Sequence, residues 1–193
     1  MNQLTDEQIE AIAGKIKRSD KKAFDNFFRL MYPQLTGFAM GYLRDKNLAY
    51  DIVQDSFVIL WQKRTGIEPE KSLRSYMYRT VRNRCLNELR NHSKVTVSSE
   101  LAENVMMTVE MKNEDGNVDM DSLINRFREW ITALPERQRE AFELSRYEGL
   151  NHEEIADVMN ISAKTVNNHI VAAINQLREN YKQFKHETST SDE

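Results

Sequence analysis

The sequence predicts an all-α protein built from two helical modules, and three observations carry that prediction. Nearly every periodic segment repeats its apolar residues at three- and four-residue spacing, the signature of an amphipathic helix. Only 6 Gly and 3 Pro punctuate 193 residues, too few for a turn-dense all-β class. The helical signals also stop between residues 93 and 121, where an acidic stretch intervenes. A 40% hydrophobic share is enough to fill a small core in each module. The single Cys, Cys85, excludes an intramolecular disulfide framework and any multi-cysteine metal cage. The opening MNQLTDEQIE has no basic and apolar leader pattern, and no run nears the roughly 18 apolar residues of a membrane span. A cytoplasmic location without membrane insertion is therefore expected.

The elements follow in chain order. Asp20 is placed to cap a helix from about Lys21 to Leu43, with Phe24, Phe27, Phe28, Met31 and Leu35 facing inward. Pro33 marks a kink or break within it. A second helix is expected from about Leu48 to Lys63, ending near Gly66 and Pro69. Ser72 is the N-cap of a third, which runs to about Asn91. Residues 93–121 read as a flexible acidic linker, with short strands at Val95–Val97 or Val105–Val109 as the alternative. Helical periodicity returns from Asp121 to about Tyr181, broken at Leu134-Pro135, Gly149-Leu150 and Asn160–Ser162. The expected units are thus 1–92, the linker 93–121, a second unit 122–181, and a disordered tail 182–193.

The net charge of −3 conceals an uneven distribution. Residues 1–70 balance, whereas residues 71–92 hold Lys71, Arg74, Arg79, Arg82, Arg84 and Arg90 against Glu88 alone. Such a local patch suffices to attract nucleic acid, because screening makes near charges count most. At 100° per residue from Leu73, the side chains of Met77, Val81, Cys85, Tyr78 and Leu89 cluster between about 40° and 160°, a buried face. Arg79, Arg90, Asn83, Tyr76 and Asn87 cluster opposite, between about 240° and 320°. An aromatic ring, two guanidiniums and two amides on one face suit a melted strand, with phosphates on Arg and unstacked bases on the ring and amides. A solvated basic face with Tyr76 tucked under a neighbour has the same pattern.

The run His152–Leu177 predicts a helix-turn-helix. Ile155, Ala156 and Met159 line the inner face of its first helix; Val166, Ile170, Ala173, Ile174 and Leu177 line that of the second. Asn160 stands where the turn wants a left-handed residue, and Ser162 is placed to cap the second helix. Lys164, Thr165 and Asn168, flanked by Asn167 and His169, form its outward face. Asn pairs bidentately with adenine and Lys reaches guanine or phosphate.

In DIVQDSFVILWQK, Asp51 and Asp55 lie one turn apart beside Gln54. The surrounding Leu48, Ile52, Val53, Phe57, Leu60 and Trp61 exceed what one buried stripe needs, which suggests a partner surface. No His or third carboxylate stands at ligand spacing, so no metal, cofactor or catalytic set is expected.

Taken together, Asp51-Ile52-Val53-Gln54-Asp55, Phe57, Leu60-Trp61, Leu73, Tyr76-Met77, Arg79, Asn83 and Leu86 form the first half of an ordered pattern. Leu134–Arg139, Phe142-Glu143-Leu144, Glu148-Gly149-Leu150, Glu154-Ile155-Ala156, Ile161-Ser162 and Thr165-Val166 form the second. The set resembles the bacterial extracytoplasmic-function (ECF) sigma factors, small members of the main RNA polymerase sigma family. It covers about residues 20–92 and 123–178.

The resemblance implies a non-enzymatic transcription initiation factor that needs no cofactor. It implies that Asp51, Gln54, Asp55 and Trp61 dock on the clamp helices of the polymerase largest subunit. Tyr76, Arg79, Asn83, Asn87 and Arg90 would open and read the minus-ten element, and the loop Thr65–Lys71 would help receive a flipped base. Arg139 would support the helix-turn-helix and contact phosphate, while Lys164, Thr165, Asn167, Asn168 and His169 would read the minus-thirty-five element. The linker would thread the polymerase channel. Further implied partners are the flap of the second-largest subunit, promoter DNA and an anti-sigma factor. The chain departs from many relatives in carrying Asn168 and His169 where Arg or Lys stands, and Tyr76 where Trp is frequent. Two rival classes are a LuxR-like regulator that binds duplex DNA unaided, suggested by Thr165–His169, and a helical adaptor.

Overall fold

The computed structural model describes residues 6–43, 45–96 and 118–190, and among these every regular element is helical. The chain divides into two compact units, Met1–Val109 and Glu110–Glu193.

The first unit contains α1 (Asp6–Lys17), α2 (Lys21–Tyr42), α3 (Lys46–Gln62), a single 3-10 turn (Arg64–Gly66) and α4 (Leu73–Thr96). Helix α1 has no counterpart in the sequence reading; it exists because Ile9, Ala13 and Ile16 form a buried stripe. Its end is a Schellman turn, in which Ser19 N–H donates to Ile16 O and Asp20 N–H to Lys15 O. Ser19 occupies the left-handed position at φ 66°, where glycine is the usual residue. The Asp20 carboxylate then accepts from Ala23 N–H at 3.1 Å and starts α2. That helix continues through Pro33 rather than breaking there, since Phe27, Met31, Leu35 and Ala39 bury one unbroken stripe around it. The Asp45 carboxylate caps α3 by accepting from Asn47 and Leu48 N–H at 2.8 and 3.2 Å. Caps of this kind contribute about 1 kcal/mol each.

Ser72 caps α4, its hydroxyl accepting from Ser75 N–H at 3.2 Å. Leu73, Met77, Tyr78, Val81 and Cys85 are buried, as the periodicity requires. Leu89 is a correction: it is 40% exposed, because the core of the unit ends before the last turns of α4. The helix also extends to Thr96, beyond Asn91, so Val95 and Thr96 are helical rather than the start of a strand. The alternative strand at Val105–Val109 and most of the expected linker lie outside the described residues.

The second unit contains α5 (Val118–Ala133), α6 (Glu136–Arg146), α7 (His152–Met159) and α8 (Ala163–Thr190). Helix α5 therefore begins inside the span read as linker. Pro135 stands just ahead of α6, and Gly149, at φ 65°, lets Leu150 N–H return to Leu144 O after it. The start of α7 is a capping box: Glu154 N–H donates to the Asn151 side chain at 2.9 Å, and the Glu154 carboxylate accepts from Asn151 N–H at 3.0 Å. Asn160 takes the left-handed conformation, φ 55° and ψ 52°, and Ser162 Oγ accepts from Thr165 N–H at 3.1 Å to start α8. Ile155, Met159, Val166, Ile170, Ala173 and Leu177 are buried, with Ala156 and Ile174 half-buried.

The tail from residue 182 is also corrected, because α8 runs on as helix to Thr190. Phe184 meets the Trp130 ring edge-on at 5.9 Å, which gives the polar sequence a tertiary reason to stay helical, and the exposed i,i+3 pair of Lys182 with Glu179 adds a local one.

Candidate partner and nucleic-acid interfaces

On α3, Tyr50, Trp61, Gln54, Asn47, Val58, Asp51 and Asp55 fall within one sector of about 140° at 100° per residue. Asp51 and Gln54 share a shallow recess with Tyr32, Asn47 and Tyr50. Gln54 donates to the Tyr32 hydroxyl at 3.4 Å, and the Tyr32 and Tyr50 rings lie nearly parallel with centroids 6.5 Å apart. Asp55 differs from Asp51 in being engaged within the unit, by Arg84 of α4 at 2.5 Å. Trp61 is half-buried, 5.0 Å from Phe24 and covered by the Arg64 guanidinium. The sequence reading missed Tyr32, Asn47, Tyr50 and Val58. Val58, 52% exposed three residues after Asp55, was legible as an apolar residue on a polar face. Tyr32 belongs to another helix and left no such signal.

Helix α4 presents Arg79, Asn83, Asn87 and Arg90 to solvent, with Tyr76 37% exposed among them. Arg90 donates to the Asn87 amide oxygen. The basic run is less uniform than its sequence: Arg82 is buried at 7% exposure, Arg84 serves Asp55, and Lys71 pairs with Glu68 at 2.7 Å. Among the described residues, the exposed cationic groups on α4 itself are Arg79 and Arg90, with Arg74 half-buried. Burial pushes the Cys85 thiol up to about 12, against the lowering effects of its backbone hydrogen bond and Arg84. A thiol so placed is a core side chain rather than a nucleophile.

In the second unit, Lys164, Asn167 and Asn168 are exposed at the start of α8, while Thr165 and His169 are half-buried. The Thr165 hydroxyl lies 2.8 Å from Ser162 Oγ and so belongs to the cap as much as to the outward face. Arg139 is half-buried and donates to Thr132 O at 3.1 Å, bracing the end of α5 against α6. Nearby, burial raises the Glu143 carboxyl above its ordinary 4.5, with Arg139 opposing the shift and Glu140 and Glu148 adding to it. The folded state therefore holds this proton more tightly than the unfolded chain, and ionisation subtracts stability as pH climbs above 4.5. Glu143→Gln is expected to melt above the parent at pH 7.5 and level with it below the ordinary carboxyl value, which thermal melts at a series of pH values will check. Among the described residues no group of three or more His, Cys, Asp or Glu side chains could hold a metal ion. No described helix is long and apolar enough to cross a membrane.

Comparison with known proteins agrees with this arrangement of two helical units. Residues 27–95 match the family model for Sigma-70 region 2, and residues 124–177 match that for Sigma-70, region 4. The RNA polymerase sigma-H factor of Pseudomonas aeruginosa is 26% identical over 177 residues, 88% of this chain and 92% of that protein. The ECF RNA polymerase sigma-E factor of Haemophilus influenzae is 28% identical over 178 residues, 89% of this chain and 92% of the relative. Among solved structures, the sigma factor RpoE crystallised with the anti-sigma factor NepR from Bartonella quintana superimposes with a TM-score of 0.65 at 24% identity, covering 83% of this chain and 98% of that one. CnrH in complex with the cytosolic domain of CnrY gives 0.60 at 19% identity, covering 91% and 97%. The chain belongs to the ECF group of the RNA polymerase sigma family and is a transcription initiation factor. That membership sets aside the LuxR-like and adaptor readings.

Proposed function

We propose that the two units divide promoter recognition between them while core RNA polymerase supplies the chemistry of RNA synthesis. The unit within residues 1–92 docks on the clamp helices of the largest subunit through Asp51, Gln54, Asp55 and the surface that Trp61 shapes. Its helix α4 captures the melted minus-ten strand on Tyr76, Arg79, Asn83, Asn87 and Arg90. The unit within residues 122–181 holds the minus-thirty-five element as duplex through Lys164, Thr165, Asn167, Asn168 and His169. Arg139 works mainly as a brace. Exposed Ile124 and Phe127 on α5 offer apolar surface to the flap of the second-largest subunit.

The observation that carries this reading is the outward face of α4, where an exposed ring stands among Arg and Asn side chains. Stacking and charge together offset the cost of unstacking bases, a few kcal/mol per step. An anti-sigma factor is a further proposed partner, supported by the fold-level neighbours RpoE and CnrH, whose structures were solved with NepR and with the cytosolic domain of CnrY. This work takes place in the cytoplasm, where the polymerase is.

The test is the affinity of the purified chain for core bacterial RNA polymerase in the absence of DNA. Tight one-to-one binding is expected. If neither the full chain nor its 1–92 fragment binds, the docking assignment fails.

A further inference from the structure

Helix α1 lies outside the span matched to region 2, which begins at residue 27, yet one side chain ties its end to the loop after α3. Arg64 opens that loop. Its Nε donates to Ser19 Oγ at 2.9 Å, across 45 residues, and its Nη1 donates to Trp61 O at 2.7 Å. The face of the same guanidinium covers the Trp61 ring, 4.5 Å from its centroid, and that ring packs on Phe24 of α2. Three contacts thus use the fork and the plane of one group, which fixes its orientation.

Ser19 is itself held. It occupies the left-handed position of the Schellman turn, pinned by Ser19 N–H to Ile16 O and Asp20 N–H to Lys15 O. Serine is an uneconomical choice there, since glycine adopts φ 66° without steric cost. What serine adds is the hydroxyl that receives Arg64. Beyond this anchor, the loop's backbone bonds are local: Gly66 N–H to Lys63 O, Ile67 N–H to Arg64 O, and Lys71 N–H to Glu68 O.

We propose that Arg64 is a positioning residue for promoter melting, acting with Ser19 to lock the loop Thr65–Lys71 against the end of α1. The inference rests on the reading above in which this loop receives an unstacked base of the melted strand. A loop held only by its own short-range bonds samples many conformers, and binding a base then requires ordering them. The Ser19–Arg64–Trp61 corner removes part of that requirement in advance. Arg64 commits Nε and Nη1 to partners within the unit, so its task is to place the loop rather than to touch DNA.

The test uses the full chain assembled with core polymerase on a promoter that the parent holoenzyme opens, with permanganate reactivity of unpaired thymines as the readout. Arg64→Lys keeps the positive charge but loses the fork and the plane. Ser19→Gly removes only the hydroxyl, in a turn that glycine favours. Both variants are expected to bind core polymerase within about twofold of the parent and to open the promoter about tenfold more slowly, the order set by losing a hydrogen bond to a charged group. Ser19→Gly should melt no lower than the parent, which separates positioning from stability. The double variant should be no slower than Arg64→Lys alone. Normal opening by Arg64→Lys overturns the inference, since retained charge would then suffice. Impaired Arg64→Lys beside a normal Ser19→Gly also overturns it, because Arg64 would then act without α1. A variant with Ile67, Glu68, Pro69 and Glu70 all replaced by Gly separates the two levels. If it opens normally, the loop reading falls and the inference with it. If it fails while the Ser19 and Arg64 variants are normal, only the inference falls.

Discussion

Reversing two charges, Asp51→Lys with Asp55→Lys, is expected to abolish binding to core polymerase while leaving a folded protein. Both side chains are exposed on α3, so neither reversal cuts into the core of Ile52, Val53, Phe57 and Leu60. Removing one partner of a charge pair that is buried and hydrogen-bonded in an interface typically costs about 2–5 kcal/mol, and reversal adds repulsion, so for aspartates buried on docking a loss of about 1000-fold in affinity is expected. The two positions contribute unequally. Asp55 already faces Arg84 at 2.5 Å and must share or exchange that partner to bind another cation, whereas Asp51 opens onto the recess of Tyr32, Tyr50 and Gln54. Of the single neutral variants, Asp51→Asn should therefore weaken binding more than Asp55→Asn. Titration of labelled core polymerase, with circular dichroism melts of each variant, checks both statements. Wild-type affinity in the double variant would contradict the docking assignment outright.

The residues that could be placed from the sequence are those whose role is set by local period and local caps. The buried and outward faces of α4 follow from 3.6-residue periodicity, and the break between α7 and α8 follows from Asn160 and Ser162, whose conformations are governed by their immediate neighbours. What escaped depends on contacts made at long range. Helix α1 is short, and its three buried residues gain meaning only against α2 and α4. The continuation of α8 depends on Phe184 finding Trp130, more than fifty residues earlier. Charge misleads in the same way. Six basic residues in 71–90 look alike as letters, but the fold buries Arg82, commits Arg84 to Asp55 and pairs Lys71 with Glu68. Similarly, Asp51 and Asp55 form a symmetrical pair in the sequence and an asymmetrical one in space. The location of an amphipathic face is a local property; which of its charges remains available to a partner is a tertiary one.

Tyr76→Ala with Asn83→Ala is expected to leave polymerase binding intact and to eliminate promoter opening. The two positions are seven residues apart on α4, about 10.5 Å along the axis, and nearly one above the other on the outward face. Neither belongs to the core, where Met77, Tyr78 and Val81 carry the packing, so truncation should cost the unit little stability. Stacking of a base on an aromatic side chain is worth about 1–3 kcal/mol by alanine substitution, and loss of the amide contact adds about 1 kcal/mol. Together these predict a fall of roughly a hundredfold in the open fraction, enough to remove it from view at a promoter whose melting is only just favourable. A minus-ten region built as an unpaired bubble needs no melting, so on that template the double variant should recover much of the lost transcription. Tyr76→Trp, which preserves a stacking face, should open the promoter at least as well as the parent. Normal opening by the double variant would mean that the exposed face of α4 is merely solvated, and the positive charge of Arg79 and Arg90 would then have to be explained without the melted strand.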